Sequence, residues 1–349
     1  MIVKVRPYGR TFFSCIRISL WSGFEGVREE EARSFFMHGY CVHEYHSALT
    51  QKRMKAKPFI KWAGGKGQLI EQLDSLLPND FSERKDITYV EPFVGGGAML
   101  FHMLSKYPNI RRAVINDVNS DLISCYRIIK ENPENLISTL HKIEHQYKSC
   151  ACEDERRKMF LKARERYNCH LENEIDIAAL FIFLNRTCFN GLYRINSKGL
   201  YNVPFGRTAN PLICDEATIR ADCDLLQKVT ICRGDFADIG KKLKNNAFFY
   251  FDPPYRPLTQ TSSFTAYAKN GFGNNEQERL ADFCRKLDKR GIQWLLSNSD
   301  PHNTDPDDMF FDDLYRGFNI HRIFASRMIN SKATRRGQIS ELAISNYGK

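Results

Sequence analysis

From Pro58 onward short apolar runs alternate with amphipathic segments, and no other feature restricts the fold of this chain as tightly. Strand and helix repeated in turn give a mostly parallel sheet covered on both faces. Ile87 to Phe93 reads as a strand, Ala98 to Ser105 as a helix, Arg112 to Asn116 as a strand and Asp121 to Lys130 as a helix. There the alternation stops. Three helical patterns fill residues 133–187, carried by Leu136, Leu140, Ile143 and Tyr147, then Met159, Ala163 and Tyr167, then Ile175 to Leu184. Asn185 to Asn210 is rich in Gly, Asn and Arg and has no helical period. Strand patterns return at Val229 to Cys232, Ala247 to Phe251, Ile292 to Leu296, Asn319 to Phe324 and Ile339 to Asn346, with helices at Glu276 to Arg290 and Pro301 to Tyr315. The expected class is α/β: a doubly wound, mostly parallel, Rossmann-like sheet built from residues 57–130 and 228–349, interrupted by a helical insertion over residues 131–227.

Residues 1–56 show neither period and end in the basic run Lys52-Arg53-Met54-Lys55-Ala56-Lys57. They are read as a poorly ordered N-terminal extension, with Met54 as an alternative start; a small accessory element touching a polyanion is the other reading. The formal charge of +10 is shared, since this extension holds nine Lys/Arg against five Asp/Glu. A basic surplus favours polyanionic partners because neutralised phosphates release counterions, but on its own it is weak evidence. Eleven cysteines are scattered without a CxxC, so reduced, mostly buried thiols are expected. Cys41 with His43 and His46, and His141 with His145, lack a second ligand pair, and no metal is expected. No stretch reaches the roughly 20 apolar residues of a membrane span, and a cytoplasmic monomer is expected.

Two turns carry chemistry. Glu91-Pro92-Phe93-Val94-Gly95-Gly96-Gly97 follows a strand and opens a helix, so backbone amides can approach a ligand without a Cβ in the way. Asp117 closes the next strand, where an acid can accept hydrogen bonds from both hydroxyls of a ribose. The spacing matches neither GxGxxG nor a Walker motif, which favours a nucleoside without phosphates, such as S-adenosylmethionine. The second turn, Asp252-Pro253-Pro254-Tyr255, sits at the end of the aromatic strand Phe248 to Phe251. An exocyclic ring amine is a poor nucleophile until hydrogen bonds to fixed acceptors draw its lone pair out of conjugation. Asp252 can supply a carboxylate oxygen and Pro253 its carbonyl, Tyr255 can stack on the base, and consecutive prolines hold the turn stiff. Asp at the first position favours adenine over glutamine or cytosine amines.

These turns occur in order with Lys61-Trp62-Ala63-Gly64-Gly65-Lys66, Asn116-Asp117, Asn190-Gly191-Leu192-Tyr193-Arg194, Asn202-Val203-Pro204-Phe205-Gly206-Arg207 and Gly234-Asp235-Phe236. From about residue 57 to its end, the chain resembles the Dam-type (D12 class) DNA adenine-N6 methyltransferases. The resemblance implies that 57–130 with 228–349 is the catalytic domain and that 131–227 recognises double-stranded DNA. It assigns Asp252, Pro253, Pro254 and Tyr255 to catalysis, and Trp62, Lys66, Glu91, Phe93, Gly95, Asp117, Asp235, Phe236 and Asp252 to S-adenosylmethionine. It assigns Lys61, Phe189, Asn190, Leu192, Arg194, Pro204 and Arg207 to DNA. Flipping the target adenine costs a few kcal/mol, offset by an aromatic side chain entering the gap, the implied place of Phe189. Arg194 would read an outer guanine, Lys61 the other, Leu192 and Pro204 the thymine methyl and Arg207 a phosphate, which implies the target GATC. Lys198 and the closing segment from Ser331 to Asn346 resemble the branch that accompanies restriction enzymes, so a nuclease acting on the same site without direct contact is the implied partner. A solitary housekeeping methylase, an enzyme acting on cytosine N4 or RNA adenine, and a catalytically silent DNA-binding regulator remain as alternatives.

Overall fold

The computed structural model describes residues 55–62, 64, 66–239, 243, 246–256, 272–326 and 338–348. The strands β1 (Ile87–Glu91), β2 (Ile110–Asp117), β3 (Val229–Arg233), β4 (Ala247–Phe251), β5 (Gln293–Ser299), β6 (Asn319–Ser326) and β7 (Gln338–Ser345) form one sheet in the order β3, β2, β1, β4, β5, β7, β6. The first five run parallel, and β7 lies antiparallel between β5 and β6. This is the doubly wound, mostly parallel sheet expected from the alternation. Successive strands step outward from β1 in one direction and from β4 in the other, so the switch point lies between them. Ligands of open α/β sheets bind at the carboxyl edge there.

Strand β4 shows why the sheet is covered twice. Its alternate residues Phe248 and Tyr250 join one buried cluster, and Phe249 and Phe251 join the other. Helix α1 (Ile70–Ser75), α2 (Ala98–Lys106) and α3 (Ser120–Glu131) contribute to the first cluster through Leu73, Phe101 and Tyr126. Its continuation holds Tyr147 of α4 (Pro133–Lys148), Phe160 of α5 (Glu153–Cys169) and Phe183 of α6 (Glu174–Thr187), so the inserted helices share one apolar body with the sheet. Helix α6 touches α3, α4 and α5, which explains its run Ile177 to Leu184 buried on every side. Ala56 is buried in the same cluster, and the Lys57 amide donates to Asp222 Oδ1 at 3.1 Å, so the packed body reaches into residues read as extension.

Most element ends shift by one to three residues from the sequence reading, and four departures have a plain cause or consequence. The first strand ends at Glu91 because Pro92 has no N–H for the ladder. The helix expected from Pro301 to Tyr315 breaks into a 3-10 turn, Pro301–Asn303, and a short α10 (Phe310–Leu314), because Pro306 bars helix at Asp305 and removes a donor. The region from Asn185 to Asn210 keeps the last turn of α6 and a 3-10 turn, Phe189–Gly191. A helix went unread at α7 (Glu216–Leu226), whose Asp215 side chain caps the Thr218 amide. It packs on α3 and α2 beside the sheet. The remaining helices are the single turn α8 (Phe236–Ile239) and α9 (Asn274–Lys289), the latter under the second cluster.

The nine described cysteines are free, but only Cys125, Cys188, Cys214 and Cys284 are buried, fewer than expected. His141 pairs with exposed Glu216. Cys41, His43 and His46, like Arg335 and Arg336, lie outside the described residues. Among the described residues no helix is long and apolar enough to cross a membrane.

Candidate active site

The carboxyl ends of β1, β2, β3 and β4 bring together Glu91, Asp117, Asp235 and Asp252. After β1 the chain turns through Gly95 at φ 48° and Gly97 at φ 74°, left-handed values that disfavour any side chain. A Cβ on Gly97 would lie 2.5 Å from the Tyr126 hydroxyl, which donates to the Gly95 carbonyl at 2.9 Å. A Cβ on Gly95 would lie 2.8 Å from Trp62, so the indole occupies the space left by the glycines. Asp117 Oδ2 accepts from the Gly95 amide at 3.1 Å and Oδ1 from the Asn119 amide at 2.9 Å. Each carboxylate oxygen retains a second lone pair for a ligand hydroxyl. Burial pushes the Asp117 carboxyl upward, opposed by the Asn119 and Gly95 amides. Asn116 donates to the carbonyls of Pro92 at 3.1 Å and Gly234 at 2.9 Å, tying the turns after β1 and β3 to the end of β2.

The other residues assigned to the cofactor are placed less uniformly. Glu91 is buried and accepts from the Tyr89 hydroxyl at 2.9 Å; burial pushes its carboxyl well above the ordinary carboxylate range. Phe93 packs on Phe236 at 5.3 Å between centroids and edge-on to Phe272 at 5.5 Å. Asp235 already holds the Arg279 guanidinium through both oxygens, at 2.8 and 2.7 Å, and that guanidinium covers the Phe236 ring at 4.2 Å. Asp235 and Phe236 thus form a capped aromatic wall beyond β3.

After β4 the Asp252-Pro253-Pro254-Tyr255 turn is held from several sides. Asp252 Oδ1 accepts from Lys66 Nζ at 3.1 Å and from Ser297 Oγ at 3.2 Å. Burial raises the Asp252 carboxyl and the Lys66 ammonium pulls it back, the balance expected of a desolvated ion pair. Lys66 Nζ also reaches Glu341 Oε2 at 3.0 Å, and the same oxygen accepts from the Tyr255 hydroxyl at 2.5 Å. The ammonium stands 4.3 Å from the Tyr255 ring centroid, a cation–π contact on one face. Buried Gln277 donates to the Pro254 carbonyl at 3.2 Å and is itself held by Asn298 at 3.1 Å. Sequence reasoning missed Ser297, Gln277, Asn298 and Glu341. The available signals were polar residues at the carboxyl end of the apolar strand β5 and an acid between the apolar residues of β7.

Of the residues assigned to DNA, Phe189, Asn190, Leu192, Arg194, Pro204 and Arg207 follow α6 in the chain, and Lys61 lies on a separate segment packed against them. Asn185, at the end of α6, accepts from the Lys61 amide at 2.9 Å and donates to the carbonyls of Lys61 at 2.8 Å and Gly191 at 2.9 Å. A Cβ on Gly191, at φ 65°, would lie 2.5 Å from the Lys61 side chain. Trp62 stacks on Tyr193 at 5.5 Å, so the segment Lys61-Trp62 links the glycine turn to the loop. The Phe189 amide donates to the Pro204 carbonyl at 2.9 Å, while its ring is 51% exposed and Leu192 is 40% exposed. Asn190 and Arg207 adopt left-handed backbone at φ 55° and 59°, and the Arg207 guanidinium lies 3.6 Å from Glu153. Arg194 is exposed, and Asn202 orients its guanidinium through bonds of 2.7 and 3.2 Å.

Comparison with known proteins accords with this geometry. A family model described as D12 class N6 adenine-specific DNA methyltransferase matches residues 62–329. The Type II methyltransferase M.MjaIII of Methanocaldococcus jannaschii is 46% identical over 84% of this chain and 100% of its own length. The Type II methyltransferase M1.LlaDCHI of Lactococcus lactis subsp. cremoris is 39% identical over 86% and 99%. The DNA adenine methylase of Escherichia coli K12 is 32% identical over 82% and 94%. With the family model spanning most of the chain and these relatives matched almost end to end, the protein belongs to the D12 class of N6 adenine-specific DNA methyltransferases.

Proposed function

We propose that the protein methylates N6 of an adenine flipped out of double-stranded GATC, using S-adenosylmethionine, as the modification arm of a restriction-modification system. The observation that carries the chemistry is the disposition of Asp252. Among the described residues its side-chain contacts, to Lys66 and Ser297, are made through Oδ1, on a turn stiffened by Pro253 and Pro254. Oδ2 is left to accept from one amine hydrogen, and the Pro253 carbonyl from the other. Accepting both draws the nitrogen lone pair out of the ring, and Tyr255 stacks on the base. S-adenosylmethionine supplies an electrophilic methyl when bound.

The cradle fits that cofactor by its donor set: a tight glycine turn closed by Trp62 and an acid whose two oxygens are placed for two ribose hydroxyls. Trp62, Lys66, Glu91, Phe93, Gly95, Asp117, Asp235 and Phe236 would hold it. Exposed Phe189 supports the flipping role because an apolar ring held at the tip of a braced loop can fill the vacated stack. Arg194, oriented by Asn202, has the fork needed for a guanine edge; Lys61, Asn190, Leu192, Pro204 and Arg207 complete the DNA contacts. The modification role is supported by the Type II names of two relatives with 46% and 39% identity.

The test is DNA from an expressing host cut with one GATC nuclease that methylation blocks and one that requires methylation. Protection from the first and cleavage by the second are expected, both lost in Asp252→Ala while the variant still binds DNA. Protection that survives Asp252→Ala contradicts the assignment.

A further inference from the structure

Glu341 has no place in the chemistry assigned so far, and the fold does not call for it. It lies mid-way along β7, where backbone pairing to Ser299 of β5 and Ile323 of β6 would be satisfied by any residue. Its neighbours Leu342, Ala343 and Ile344 are fully buried, and its own side chain is only 20% exposed. A second carboxylate beside Asp252 is also costly, because like charges in a recessed site repel. Such a group is stable here only through its partners, Lys66 Nζ at 3.0 Å and the Tyr255 hydroxyl at 2.5 Å.

We propose that Glu341 is a positioning residue for methyl transfer, fixing the Tyr255 ring through its hydroxyl and seating Lys66 between two carboxylates. The inference rests on the reading of Asp252 and Tyr255 as the transfer site. Its geometry follows from one shared acceptor. With the hydroxyl tied to Oε2, the ring cannot swing about its Cα–Cβ bond, and with Lys66 on one face the other face is presented to the base. With Lys66 held by Glu341, its contact to Asp252 stays on Oδ1, which keeps Oδ2 turned to the amine. Misplacement of a reacting group by about 1 Å can cost about a hundredfold in rate, so the effect belongs in the transfer step rather than in DNA affinity.

The experiment measures single-turnover methylation of pre-bound duplex, DNA affinity and the pH–rate profile in Glu341→Ala, Glu341→Gln, Tyr255→Phe and the double variant Glu341→Ala/Tyr255→Phe. Glu341→Ala is expected to slow transfer about tenfold to a hundredfold with DNA affinity unchanged. Tyr255→Phe already lacks the hydroxyl that Glu341 holds, so the double variant should be no slower than the sum of one lesion plus the loss of the Lys66 contact, clearly less than additive. Glu341→Gln keeps the shape and an acceptor but removes the charge that adds to burial in raising Asp252. Its acid limb should therefore move to lower pH, with the folded state retained. Additive single effects together with an unmoved acid limb overturn the proposal. If Asp252→Ala turns over like the parent, the underlying site reading fails instead, and the two failures are distinct.

Discussion

Replacing Asn185 by Ala removes one side chain that joins two functional segments, and its cost can be built from the hydrogen bonds it makes. The amide is 4% exposed and satisfies three backbone groups: the Lys61 N–H, the Lys61 carbonyl and the Gly191 carbonyl. A buried backbone group left without a partner costs about 1–3 kcal/mol. Lys61 itself is exposed, so water can reach part of what is released, and the loss should be about 2–4 kcal/mol rather than the full sum. For a body of this size that corresponds to a fall in Tm of about 3–6 °C. The more specific consequence is functional. Lys61-Trp62 lines the glycine turn on one side and stacks on Tyr193 of the loop after α6 on the other. Freeing it should therefore weaken S-adenosylmethionine and GATC duplex together, each by about tenfold or more, since about 1.4 kcal/mol is tenfold. Asn185→Asp retains the acceptor but neither donor and should not rescue. Thermal unfolding with equilibrium titrations of both ligands tests this. A lowered Tm with both affinities at parent values would refute the coupling of the two segments through Asn185.

Three further outcomes follow from single contacts. Gly206→Ala places a Cβ 2.3 Å from the Cys188 carbonyl oxygen, against backbone that has no flexible end to yield. The bridge between Cys188 and Phe205 should open, and duplex binding should weaken with little change in Tm; unchanged binding contradicts the bracing of Phe189 by that bridge. Arg194→Ala should leave methyl transfer intact but spread it to sites altered at the outer base pair, read by sequencing of methylated positions; unchanged site preference contradicts its role. Asp222 is buried, with Oδ2 unpartnered among the described residues, and burial pushes its carboxyl to about 9 from an ordinary 3.8. Between those values the folded protein keeps a proton that the unfolded chain has lost, so stability falls as pH rises through this window. Asp222→Asn cannot ionise, and its advantage in Tm should be small near pH 4 and grow towards pH 9; an advantage independent of pH would show that Asp222 is not held protonated.

The fold was legible where one chemical pattern had one structural solution. Four aromatic residues in a row at Phe248–Phe251 suit only a strand buried on both faces, and β4 has the bounds read from its pattern, Ala247–Phe251. Helix α7 was not, because its apolar residues Ile219 and Leu226 are sparse and its stability comes from α2 and α3, which lie far away in the chain. The turns around Gly95 and Asp252 were legible because their conformational and chemical demands are local. Their supports were not: Ser297, Gln277, Asn298 and Glu341 reach Asp252, Pro254 and Tyr255 only through strand order and helix packing. Asp235 shows the converse limit. The resemblance assigns it to the cofactor, yet the sequence holds no sign that Arg279 on α9 would occupy both of its oxygens.

The atom that receives the methyl group is identified most directly by product analysis. Purified protein is incubated with methyl-labelled S-adenosylmethionine and duplexes that contain GATC or a scrambled tetranucleotide, and the nucleosides are resolved by mass spectrometry. Labelled 6-methyladenine in the GATC duplex alone is the expected result. Label in N4-methylcytosine, or no labelled 6-methyladenine in any duplex, would contradict it.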